Sequence, residues 1–172
     1  MFSMLDIYEL FDNIFEEEYC IIRPSVYNIN GTYEKGSDID ILCRDREELG
    51  NKIESCIRGN CPYKRFISPL EKLHIDIYDF DNVFELKFDI MDNFSSYKNV
   101  IIKDSFMDRI LRLREFNGFV FIPNVYDDII LRLIEFYEHP NKEKHILYVN
   151  NKLKDLDKNL FNSLLEEFTN IR

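Results

Sequence analysis

The segment Gly36-Ser37-Asp38-Ile39-Asp40-Ile41-Leu42 sets two carboxylates two residues apart among β-branched apolar residues. In a strand such residues project from one face, with Cα atoms roughly 6.5 Å apart. Two carboxylates so placed, just after a Gly-Ser turn, can share a divalent cation. A hard cation such as Mg²⁺ completes its oxygen shell with substrate phosphates and water. A bare Asp-x-Asp reads more simply as the solvent-facing edge of a strand, so the context decides. Downstream, His74-Ile75-Asp76-Ile77 repeats the pattern of a carboxylate between Ile residues. If Ile75 and Ile77 pack inward with Ile39 and Ile41, Asp76 emerges on the face of Asp38 and Asp40. Three convergent carboxylates suit a two-metal phosphoryl or nucleotidyl transfer site. Asp89, which shares a face with Glu85 and Lys87, is the reserve for the third position.

The elements that position these residues follow from periodicity. Met4, Tyr8, Phe11 and Phe15 predict an amphipathic first helix. Tyr19 to Arg23 reads as a short buried strand stopped by Pro24, and Asn28 to Ser37 as a loop carrying Gly31 and Gly36. Ile39 to Cys43 is a strand, and Asp45 caps a helix running to about Arg58. Strands over Tyr63 to Ser68, Leu73 to Phe80 and Val83 to Ile90 follow, the last two a hairpin about Asp81-Asn82. A helix over Asp104 to Glu115 and a strand over Phe119 to Ile122 precede a helical remainder. There, Ile130, Leu133, Ile134 and Tyr137 form one stripe, and Leu153, Leu156, Leu160, Leu164 and Phe168 another, parted by His139-Pro140-Asn141. The expected fold class is α+β: a small mixed sheet with flanking helices over 1–123, and a helical section over 124–172 packed on it.

Ser25, followed twelve residues later by Ser37-Asp38-Ile39-Asp40-Ile41, resembles the signature of the nucleotidyltransferase superfamily related to DNA polymerase beta. The resemblance spans about residues 19 to 90, and Asp127-Asp128-Ile-Ile-Leu-Arg132 with Lys144-His145 is similar to the helical tails of small stand-alone members. It implies that Asp38, Asp40 and Asp76 hold Mg²⁺ (or Mn²⁺). It further implies that ATP or another nucleoside triphosphate gives up its nucleotidyl group to a hydroxyl or phosphate acceptor, with release of pyrophosphate. Ser25, Gly36, Ser37, Lys35, Lys87 and Arg132 are the residues expected at the phosphates. The turn Gly of the family is Pro24 here, which fixes φ and removes a donor N–H. Either Gly36-Ser37 supplies part of the missing amide nest, or triphosphate binding is weak.

Composition narrows the partners. With 22 basic and 32 acidic residues the formal charge is −10, which disfavours a long nucleic-acid acceptor or an anionic membrane and leaves a small acceptor as the expected one. The start of the chain lacks the pattern of a signal peptide, and no run suffices for a transmembrane helix, so the expected location is cytoplasmic. Cys20, Cys43, Cys56 and Cys61 have no zinc spacing and read as inert thiols. Arg132 and Glu135 are spaced to pair across a helix face. His74, on the Asp76 face, is placed to tune that carboxylate, and Tyr27, Tyr33 and Tyr78 are the candidates for base stacking. The competing classes are a catalytically degenerate member that binds a nucleotide or a partner protein, and a toxin-type enzyme modifying tRNA or protein. Clustered carboxylates repel without metal, so Asp40→Asn is expected to melt no lower than the parent protein.

Overall fold

In a computed structural model, which describes residues 5–24, 33–59 and 61–171, five strands form one mixed sheet. They are β1 (Tyr19–Ile21), β2 (Ser37–Cys43), β3 (Tyr63–Ile67), β4 (Leu73–Tyr78) and β5 (Phe84–Met91), in the order β1-β2-β5-β4-β3. β2 and β5 run parallel, and the other neighbours are antiparallel. The helices are α1 (Ile7–Asn13), α2 (Arg46–Ser55), α3 (Asp104–Leu113), α4 (Val125–Glu138), α5 (Glu143–Lys152) and α6 (Lys158–Phe168). A two-stranded ladder of β6 (Glu115–Phe116) and β7 (Phe121–Ile122) lies between α3 and α4. The fold is α+β, as the periodicity predicts.

Alternation along β2, β4 and β5 gives the sheet two unlike faces. Ile39, Ile41, Ile75, Ile77, Phe88 and Ile90 line one face and are buried against Leu10 and Phe11 of α1 and Leu49 and Ile53 of α2. Asp45 starts α2 by accepting the backbone N–H groups of Glu47 and Glu48, at 3.0 and 2.9 Å. Gly50 lets that helix lie close on β4, since a Cβ there would meet Leu73 Cδ2 at 2.6 Å. The opposite face changes character along its length. Cys20, Ile22, Leu42 and Met91 join Phe106, Ile110, Ile130, Ile134 and Phe168 in a second core beneath the C-terminal helices. One step further along the same strands, the side chains become Asp40 and Asp89. The site lies where this second core ends.

Several boundaries differ from expectation for local reasons. α1 buries Ile7, Leu10 and Phe11, whereas Tyr8 is 60% exposed; Met4 lies outside the described residues. α2 stops at Ser55, and α3 at Leu113, after which Glu115 and Phe116 pair with β7 instead of continuing the helix. The expected stripe from Leu153 to Phe168 is not one helix. α5 ends at Lys152, Leu153–Asp155 is a 3₁₀ turn, and Asp157 caps α6 by accepting the N–H groups of Asn159 and Leu160. A new N-cap breaks the apolar periodicity there. No helix among the described residues is long and apolar enough to cross a membrane.

Candidate active site

Strand order decides which carboxylates meet. Asp40 stands opposite Asp89, and Asp89 opposite His74, in one row across β2, β5 and β4. In the next row Asp38 stands opposite Lys87, and Lys87 opposite Asp76. Because β5 and not β4 lies beside β2, the reserve residue Asp89 is the neighbour of Asp40, and Lys87 separates Asp76 from Asp38. Lys87 Nζ lies 3.2 Å from Asp89 Oδ2 and 3.9 Å from Asp38 Oδ2. Burial works against its charge, but Asp89, Asp38 and Asp40 hold its pKa above the ordinary lysine value. His74 Nδ1 is 2.7 Å from Asp89 Oδ1 but outside hydrogen-bond alignment, so His74 stands against Asp89 without bonding it. Asp76 Oδ1 is buried without a hydrogen-bond partner among the described residues.

Asp40 is held from the end of β1. Arg23 follows the buried run Cys20-Ile21-Ile22 and adopts φ +51, a left-handed conformation unusual for a residue with a Cβ. Its Nη2 lies 2.9 Å from Asp40 Oδ2, and its Nη1 donates to Tyr97 Oη at 2.7 Å and to Glu135 Oε2 of α4. Only 6% of the Arg23 side chain is exposed. Burial opposes the Arg23 charge, and Asp40, Tyr97 and Glu135 more than restore it. Burial likewise pushes the Asp40 carboxyl up, but Arg23, with Lys72 and Lys87 behind it, holds it below the usual carboxylate range. Glu135 is lowered in the same way, against its burial, by Arg23 and by Lys142, whose Nζ is 2.7 Å from Oε1.

Between this pair and helices α4 and α5 lies a cleft of about 390 Å³, with Asp38 and Asp40 on one side and Arg132, Lys142, Lys144 and Tyr148 on the other. Arg132 does not pair with Glu135 as its spacing suggested. It reaches Asp128, one turn back, at 3.1 Å, donates to the Pro24 carbonyl at 3.1 Å, and stacks 4.0 Å from the Tyr148 ring centre. His145 is buried beside it. Burial drives the His145 pKa down to about 4; Glu135 opposes this, while Arg23, Lys144 and Arg132 add to it.

The expected phosphate ligands divide. Arg132 lines the cleft, and Lys87 lies on the carboxylate face. Lys35 is directed elsewhere, to Asp79 at 2.6 Å and Glu85 at 3.5 Å. Gly36 has φ +83, but its N–H donates to the Glu85 carbonyl and that of Ser37 to the Glu34 carbonyl, so neither amide supplies a phosphate nest. Ser37 Oγ is buried without a hydrogen-bond partner among the described residues. Ser25 and Tyr27 lie outside the described residues. Tyr33 donates to Glu85 and Tyr78 packs on Phe84, so neither is a cleft residue.

A divalent ion does not fit this packing. Its ligands would be Asp38, Asp40 and a third carboxylate, yet Arg23 sits on Asp40 and Lys87 between Asp38 and Asp76. Among the described residues no group of three His, Cys, Asp or Glu side chains is placed to hold a metal ion. Arg23, Tyr97 and Lys142 were not among the sequence candidates. The signal for Arg23 was a charge directly after three buried residues, which must find a buried partner.

No family model matches the chain, and no curated protein does. Among solved structures it is similar to a crystal structure of a “putative nucleotidyltransferase” from H. pylori, at 15% identity and a TM-score of 0.45. The similarity covers 72% of this chain and 53% of that one, so this chain spans about half the length of that relative.

Two outcomes follow. Asp40→Asn removes one of the two carboxylates that neutralise buried Arg23, which reverses the sign expected from carboxylate repulsion. Because Glu135 remains, the loss is about 1.5–3 kcal/mol, below the roughly 3–5 kcal/mol for a buried ion left with no partner. Asp38, with its side chain 61% exposed, is expected to change stability by less than about 0.5 kcal/mol as Asn; urea unfolding of both variants checks the contrast. His145 gives a pH dependence. Between about pH 6.5 and about pH 4 the unfolded chain binds a proton that folded His145 refuses, so stability falls as the pH drops through that window. His145→Gln is expected to shrink the difference in melting temperature between the two ends of this window, and an unchanged difference counts against the assignment.

Proposed function

We propose that the cleft binds the phosphates of a nucleoside triphosphate, and that the chain is a nucleotide-binding protein of the nucleotidyltransferase type. The observation that carries this reading is the row of Arg132, Lys142 and Lys144 facing the Asp-x-Asp strand across one cleft, with Arg132 braced by Asp128, Lys142 by Glu135, and Lys144 on the open side. A polyanion requires such a row, because the chain as a whole is acidic and offers no long-range attraction. Arg132 is held on Tyr148 and Asp128, and so is positioned before ligand arrives, which lowers the entropy cost of binding. The sequence resemblance through Ser37-Asp38-Ile39-Asp40-Ile41 supplies the ligand class.

In the observed packing this binding needs no metal, since Arg23 already neutralises Asp40. A second reading is favoured by Asp38, Asp40 and Asp89, which line one hollow of about 360 Å³ from adjacent parallel strands without forming a metal-holding group in the observed packing of the described residues. This second reading is Mg²⁺- or Mn²⁺-dependent transfer of a nucleotidyl group to a hydroxyl or phosphate on a small acceptor, with pyrophosphate leaving.

Thermal shift with ATP, GTP, CTP and UTP, each with EDTA or with Mg²⁺, separates the two readings. A ligand that binds only the folded state stabilises it by about 2.7 kcal/mol at a hundredfold excess over Kd, and so raises the melting temperature. The expected outcome is a rise with at least one nucleotide in EDTA, lost in Arg132→Ala/Lys144→Ala. A rise only with Mg²⁺, together with pyrophosphate release, selects the transfer reading. No rise with any nucleotide under either condition refutes both.

A further inference from the structure

We infer that Arg23 is a built-in counter-cation that occupies the cation position at Asp40 and thereby excludes a divalent ion from the carboxylate face. The inference rests on reading Asp38 and Asp40 as carboxylates of metal-binding type, and concerns how that same site is controlled.

The geometry leads there by elimination of the alternatives for each group. Arg23 is nearly fully buried and held from three separate parts of the chain: Asp40 on β2, Tyr97 in the loop after β5, and Glu135 on α4. Three of its five N–H donors are taken by partners on three separate parts of the chain, which fixes the guanidinium at Asp40. Its φ of +51 immediately before Pro24 is a conformation that both a Cβ and a following proline disfavour. Such a backbone persists where the surrounding contacts over-determine it. Asp40, in turn, has one oxygen 2.9 Å from Arg23, and its cross-strand neighbour Asp89 is bonded to Lys87. A divalent ion arriving at Asp40 would face a buried fixed positive charge and a carboxylate already committed. A second hollow, of about 360 Å³, shares Arg23, Asp40 and Glu135 with the main cleft, so the trio borders both spaces. Displacing Arg23 would therefore free the Asp40 oxygen it holds, on a wall common to both.

Mn²⁺ alone, titrated without nucleotide and followed by the electron paramagnetic resonance of the free ion, tests this. The unaltered protein is expected to show no Asp40-dependent binding at sub-millimolar Mn²⁺. Arg23→Gln is expected to gain one site at least about 10–100-fold tighter, the span by which a single supporting group typically changes metal affinity. Arg23→Gln/Asp40→Asn is expected to lose it again. Should Arg23→Gln fail to fold by circular dichroism, Arg23→Met keeps the packing of the stem without the charge and stands in for it. The inference is overturned if the unaltered protein binds Mn²⁺ and Asp40→Asn abolishes this, or if the folded Arg23 variant gains nothing. Because nucleotide is absent, either result is independent of whether the cleft binds a triphosphate.

Discussion

A guanidinium carried into the protein interior at the end of β1 must be neutralised where it lies, and most of the site follows from how this is done. Arg23 draws Asp40 from the sheet and Glu135 from α4 onto one planar group, with Tyr97 closing the third side. Each of these groups is costly to bury alone and tolerable together. The contact also spans the place where the second core runs out. Below it, Leu42 and Met91 pack on Ile130 and Ile134; above it, the same sheet face is acidic. Arg23 thus fixes the helical section at the height that leaves a cleft over Asp38 and Asp40.

The cleft inherits its electrostatics from that arrangement. Two of the carboxylates lining it are matched by cations from within the fold, Asp40 by Arg23 and Glu135 by Arg23 and Lys142. What remains toward solvent is Asp38 on one side and Lys144 on the other, with Arg132 beside Lys144 but paired with Asp128. Short-range neutralisation of the buried carboxylates thus leaves the nearer charges to set the field in the cleft of an otherwise acidic protein.

Much of this was legible in the residues, and the misses have specific causes. Ile39 and Ile41 against Asp38 and Asp40 gave strand, faces and burial directly, since alternation is a local property. The hairpin around Asp79 to Val83 and the Asp45 cap were equally local. Which strand lies beside β2 is not local, and the sequence pattern favours Asp76 with Asp89 in reserve, whereas the strand order puts Asp89 beside Asp40. Lys35 and Gly36 looked available because neither a side-chain partner across the hairpin nor a backbone acceptor at Glu85 can be read from spacing. Arg23 carried a signal of its own, since a charge directly after the buried run Cys20-Ile21-Ile22 requires a buried counter-charge. The sign of the Asp40→Asn effect turned on that one residue.

A double-mutant cycle on Arg23→Met and Asp40→Asn, read by urea unfolding, tests the central claim most directly. If the two side chains neutralise one another, the double variant is more stable than the sum of the single losses allows, by a coupling of about 1–3 kcal/mol. Losses that simply add would mean that Arg23 and Asp40 act independently, and that something other than this pair sets the chemistry of the cleft.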